Sequence, residues 1–99
     1  MIYHIATQAD WMDAQLKGFY SPQAYATEGF IHACKAEQVE SVMDRYYTNK
    51  KDLVVLQIDE RFLEAPHTFV FVAASKDEFP HIFGPINLEA VVEATLLKD

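Results

Sequence analysis

The chain has one cysteine, three glycines and four prolines in 99 residues. A lone thiol cannot close an internal disulfide, so nothing points to a disulfide-stapled fold or an oxidising compartment. Scarce glycine and proline, and no Ser-, Gln- or Gly-rich tract, exclude collagen-like, linker-like and low-complexity chain. Basic residues are few as well, with 8 Lys and Arg against 15 Asp and Glu, a formal charge of −7. Their only adjacent pair is Lys50-Lys51. A polyanion therefore meets net repulsion with no basic patch to offset it, which argues against nucleic acid and against a membrane surface as partners. No apolar run approaches the roughly 20 residues that a membrane-spanning helix needs. Met1-Ile2-Tyr3-His4 lacks the basic and long apolar stretches of a secretory leader, so a cytoplasmic location is expected. The phosphate-binding Gly-rich loop, the G-x-S-x-G elbow, paired-cysteine zinc spacing and the dinucleotide fingerprint are also missing.

What is present is the material for a core. Hydrophobic residues make up 51% of the chain, and residues 1–99 read as one domain able to bury a core without a metal or disulfide. Ile2 to Ala6 alternate as a strand does, with Ile2, His4 and Ala6 on one side and Tyr3 and Ile5 on the other. Thr7 is placed as a helix N-cap, Asp10 follows three residues on, Trp11, Ala14 and Leu16 give a partial apolar face, and Gly18 ends the helix. Phe19 to Gly29 reads as a structured loop with a helical turn at 22–26. Phe30 to Cys34 reads as a short strand with Phe30, His32 and Cys34 on one face. Val39, Val42, Met43 and Tyr46 share one face of a helix over Ala36 to Tyr47. Leu53 to Ile58 is a central strand covered on both sides, Thr68 to Ala73 another, and Ser75 to Glu78 a polar turn. Pro80 to Pro85 is expected to be a fixed loop, because each proline removes a ladder donor. Val91 to Leu97 returns to strand pattern. The class is α+β, with a small sheet of about five or six strands and two main helices.

Three of the four histidines fall where ordinary strands need none. His4 and His32 interrupt apolar runs, and His81 stands between Pro80 and Gly84-Pro85. A small core has little room for three unrelated buried imidazoles, so a shared polar cleft is expected, with His4, His32 and His81 as its catalytic candidates. Tyr20 and Glu28, in the long segment that delivers the chain to His32, are candidate ligand-binding residues. His67, beside Pro66, reads as solvated. His32-x-Cys34 does not match a zinc signature, so no metal is expected and Cys34 is read as a small residue at the strand-to-helix junction, with Glu37 in a capping box.

These runs resemble the DUF952 family of uncharacterised bacterial proteins across essentially the whole chain. The resemblance is carried by Ile2 to Ile5, Asp10-Trp11, Gly18-Phe19-Tyr20, Glu28 to Ala33, Gln38, Leu53 to Asp59 and Phe79 to Ile86. It implies an ADP-ribosyltransferase-like fold, grouped with the RNA 2′-phosphotransferases: a split, bent mixed sheet whose cleft holds NAD in active relatives. His4 would then meet a nicotinamide ribose, His32 would match the histidine of a second-strand motif, and Tyr20 or Phe83 would stack on the nicotinamide ring. Two departures stand against the chemistry. Phe71-Val72 replaces an aromatic-Glu pair of many relatives, and Arg45 and Arg61 lie outside any phosphate-binding motif. The label of glutathione S-transferase domain borne by some members finds no support, since 99 residues cannot hold a thioredoxin-like and a helical domain together. The expectation is a small polar or nucleotide-like ligand, with NAD or ADP-ribose as candidates and ADP-ribosyl or phosphoryl transfer as the chemistry. The alternative is a non-catalytic binding or interaction module.

Overall fold

The alternation of Ile2 to Ala6 becomes strand β1 (Ile2–Thr7) in the computed structural model, which describes residues 1–97. Thr7 ends the strand and caps helix α1 (Gln8–Lys17), its hydroxyl accepting from the Asp10 amide at 3.1 Å. Gly18 closes that helix at φ 92°, a left-handed conformation that glycine adopts without steric cost. Phe19–Tyr20 form β2 and Gln23–Glu28 form α2. The helical turn expected at 22–26 is present as α2, and the rest of the expected loop contains a two-residue strand too brief for periodicity to reveal. Ile31–His32 form β3, and a 3₁₀ turn at Ala36–Gln38 leads into α3 (Val39–Tyr46). There follow β4 (Leu53–Ile58), β5 (His67–Val72), β6 (Asp77–Ile82), β7 (Ile86–Asn87) and β8 (Val91–Leu96).

The α+β class holds, with α1 and α3 as the main helices, but the expected single mixed sheet does not. Among the described residues the strands form three sheets, β1-β4-β8, β2-β7 and β3-β6-β5, and every pairing is antiparallel. The two larger sheets meet through one antiparallel bridge in which Tyr3 and Cys34 exchange main-chain bonds of 2.8 and 2.7 Å.

Pro80 explains part of this division and corrects the reading of its segment. It lies inside β6, the middle strand of its sheet. The Ala33 amide donates to the Pro80 carbonyl at 3.1 Å, and the return bond is impossible because proline has no N–H. The β3 ladder stops there. On the other flank Pro80 faces Phe69 at a position that forms no main-chain bonds in an antiparallel ladder, so β5 loses nothing. Only Phe83 to Pro85 form the fixed loop, anchored where the Phe83 amide donates to the Pro66 carbonyl at 2.8 Å. Gly84 lets that loop close on Ala65, whose Cβ would stand 3.1 Å from a Cβ at residue 84.

Ile2, Tyr20, Ile31, Leu56, Ile58, Pro80, Ile82 and Ile86 are among the large, fully buried side chains, drawn from all three sheets. Fully burying one such aliphatic side chain contributes about 1.5–3 kcal/mol. Among the described residues no helix is long and apolar enough to cross a membrane.

The start of α3 is fixed to β6 by one buried amide. Gln38 Oε1 accepts from the Lys35 amide at 2.8 Å, so the capping box lies one residue later than the expected Cys34–Glu37 pair. Gln38 Nε2 donates to Asp77 Oδ2 at 2.7 Å and to the Glu78 carbonyl at 2.9 Å. Gln38→Ala strands the Lys35 donor and the Glu78 acceptor, and is expected to lower the unfolding free energy by about 1–3 kcal/mol in urea titration. An unchanged midpoint would show that water replaces the amide.

Candidate functional site

His4 lies in the interior, 8% exposed, with both ring nitrogens engaged. A carbonyl can only accept, so the contact between Nδ1 and the His32 carbonyl places the proton on Nδ1. Nε2 then carries the lone pair and accepts from the Tyr20 hydroxyl at 2.7 Å. Burial lowers the His4 pKa to about 4, and the His32 carbonyl opposes that shift only in part. Burial likewise pushes the Tyr20 phenol well above its usual value. His4 is therefore neutral near pH 7, and its two bonds fix its tautomer.

His32 and His81 lie on the other side of β3, on an open face. They are directly opposite each other in the β3–β6 register, with ring centroids 5.8 Å apart. Gly29 turns the chain out of α2 so that Glu28 comes back beside the strand, and His32 Nε2 lies 2.6 Å from Glu28 Oε2. Phe30 stacks on His81 at 4.1 Å with 10° between the rings and meets His32 edge-on at 4.7 Å. Phe83, 42% exposed, completes the row at 6.4 Å from His81. Partial burial, and secondarily the neighbouring His32, lower the His81 pKa.

The three histidines thus do not line one cleft. His32, His81, Glu28 and Phe83 come together at the surface, whereas His4 and Tyr20 form a buried pair behind them, joined to the surface through the His32 main chain. Phe30, which lies just before β3 and meets both rings, is not among the expected site residues, although the strand expected over Phe30 to Cys34 puts it on one face with His32. Cys34 does not share that face. Its main chain leaves β3 to pair with Tyr3, and its thiol is buried, which pushes its pKa up to about 11. His67, read as solvated, begins β5 and is half-buried. Among the described residues no group of three His, Cys, Asp or Glu side chains is placed to hold a metal ion. A hollow of about 200 Å³ lies between α3 and the β5–β6 turn, lined by Gln38, Val42, Arg45, Ser75, Asp77 and Phe79. It touches none of the histidines.

An antiparallel α+β domain whose surface imidazoles rest on a buried Tyr–His pair is the class of protein these elements define. The chain belongs to the DUF952 family, described as proteins of unknown function, which matches residues 5–94. The fold is similar to the crystal structure of protein CC0527 from Caulobacter crescentus, with a TM-score of 0.88 at 23% identity over 98% of this chain and 85% of that one. A double mutant of the same protein gives 0.88 at 22% identity, with the same coverage. Its solution NMR structure gives 0.75 at 22%, over 98% and 84% of the two chains. At such identities the likeness is one of fold alone. No curated protein matches the chain.

The buried imidazole has a measurable signature. Its pKa is about 4 in the folded chain against the ordinary 6.5, so its contribution to stability is complete above pH 6.5. As pH falls below that, the unfolded chain takes up the proton first, and stability is lost down to about pH 4, on the order of 3 kcal/mol in full. His81 acts in the same direction. Asp59, held down to about 2 by its bonds from Arg61, contributes stability that is lost only at lower pH. Urea titrations at pH 7 and pH 5 should show this loss in the parent chain and a smaller one in His4→Gln. Equal loss in both would assign the dependence elsewhere.

Proposed function

We propose that the domain binds a small polar ligand bearing a flat ring, nucleotide-like in character, on the face formed by Glu28, Phe30, His32, His81 and Phe83. The observation that carries this reading is the carboxylate-oriented imidazole of His32 set beside the stacked pair of Phe30 and His81. Exposed aromatic and imidazole faces accept a planar ring. Two neighbouring imidazoles, one aligned by Glu28, supply donors and acceptors at its polar edge. In an enzymatic version His32 and His81 exchange protons with the ligand as general acid and base, and His4 is a positioning residue that holds the His32 carbonyl.

The ADP-ribosyltransferase-like character implied by the family resemblance makes NAD and ADP-ribose the first probes. The face suits their rings better than their phosphates. Arg45 is engaged by Ser75 at 2.8 Å and Arg61 by Asp59 at 2.7 Å, which leaves a pyrophosphate only the imidazoles of this face. NAD, where bound, would supply an activated ribosyl group. The openness of the face and Val72 in place of a carboxylate favour a second reading, a binding module without turnover.

A chemical-shift titration with NAD and with ADP-ribose is expected to move the signals of His32, His81 and Phe83 together. His81→Ala should weaken that binding by about tenfold through loss of the stack while the melting temperature stays within a few degrees. Affinity unchanged in this variant would remove His81 from the site. Silence from all three residues with both probes would overturn the nucleotide-like ligand.

A further inference from the structure

Strand β5 closes one edge of its sheet, and among the described residues nothing pairs with its outer side. Ladder alternation fixes what that side offers. The Phe83 amide donates to the Pro66 carbonyl, and Pro80, opposite Phe69, turns its carbonyl to Ala33. Thr68, Val70 and Val72 therefore direct their main-chain groups to β6, and His67, Phe69 and Phe71 direct theirs outward. The Phe69 and Phe71 side chains are 40% and 63% exposed.

The β8 edge of the first sheet, by contrast, is guarded. β8 carries Glu93 at its middle, and its ladder with β4 is broken by a register shift between Gln57 and Ile58, both devices that discourage strand addition. β5 has neither. His67–Val72 contains no carboxylate, lysine, proline or bulge, in a chain whose net charge of −7 opposes self-association over most of its surface.

We propose that β5 pairs antiparallel with β5 of a second copy of this chain, about a two-fold axis at Phe69. In that register Phe69 faces its own equivalent, and His67 faces Phe71 of the second copy. All three outward positions become hydrogen-bonded pairs, and the phenyl rings meet on one face. The carboxylate-free strip is the stretch where two acidic copies approach without opposed carboxylates. A two-fold contact uses the same surface on both partners, so pairing through β5 closes at two.

Sedimentation of the full chain should show a concentration-dependent dimer. Hydrogen exchange at the Phe69 and Phe71 amides, which face away from β6 and have no acceptor among the described residues, should be slow at millimolar concentration and fast on dilution. Phe69→Lys sets two ammonium groups face to face and should weaken the dimer by about a hundredfold or more, whereas Leu96→Lys on β8 should leave it intact. Free exchange of both amides at millimolar concentration, or a dimer unaltered in Phe69→Lys, would overturn the proposal. The exchange measurement decides the matter in the unmodified chain even if the lysine variant fails to fold.

Discussion

The ring of His4 touches each of the three sheets. Its own strand, β1, belongs to the first, its Nε2 partner Tyr20 lies in β2 of the second, and its Nδ1 partner is the carbonyl of His32 in β3 of the third. β2 and β3 are two residues long, too short to hold a place by ladder bonds alone. A neutral imidazole suits this junction because it donates at one nitrogen and accepts at the other, satisfying a carbonyl and a hydroxyl at once. An aliphatic residue there would leave two buried polar groups without partners, each costing about 1–3 kcal/mol.

The same residue type serves three ends according to its surroundings. His4, desolvated, is a structural link. His81, partly covered by Phe30, has its charged form disfavoured, while His32 lies in the open against a carboxylate. Their arrangement is layered: interior bonds hold the His32 main chain, the main chain aims the ring, and Glu28 orients its far nitrogen. The outer face stands on a buried, hydrogen-bonded support, which lowers the cost of holding its main chain in place for binding.

Much of this order is legible in the residues. Thr7, Asp10 and Gly18 mark both ends of α1, the heptad-like spacing of Val39 to Tyr46 marks α3, and the apolar run of β4 marks the central strand. β3 is legible as a strand within Phe30 to Cys34, but β2 and β7 are not, because two residues carry no period, and the partners of all three are distant in sequence. Pro80 misled for a physical reason. The rule against proline in a central strand concerns the missing donor, and here that donor falls where the neighbouring ladder ends. The site was legible as a set of residue types, and Glu28, His32, His81 and Phe83 do converge. That His4 and Tyr20 lie beneath them depends on which way β1 faces, and alternation alone does not assign an inside. Phe30 went unnoticed because an aromatic in a strand looks like core.

Cys34 gives the seam between the two larger sheets a built-in reporter. Its main chain forms the bridge to Tyr3, and its thiol, the only one in the chain, is buried and held protonated. A thiol reacts through its thiolate and needs access, so an alkylating reagent finds this sulfur only in molecules whose sheets have parted. The labelling rate of the unmodified protein therefore reads out how often the two halves separate, residue by residue invisible to methods that follow global unfolding.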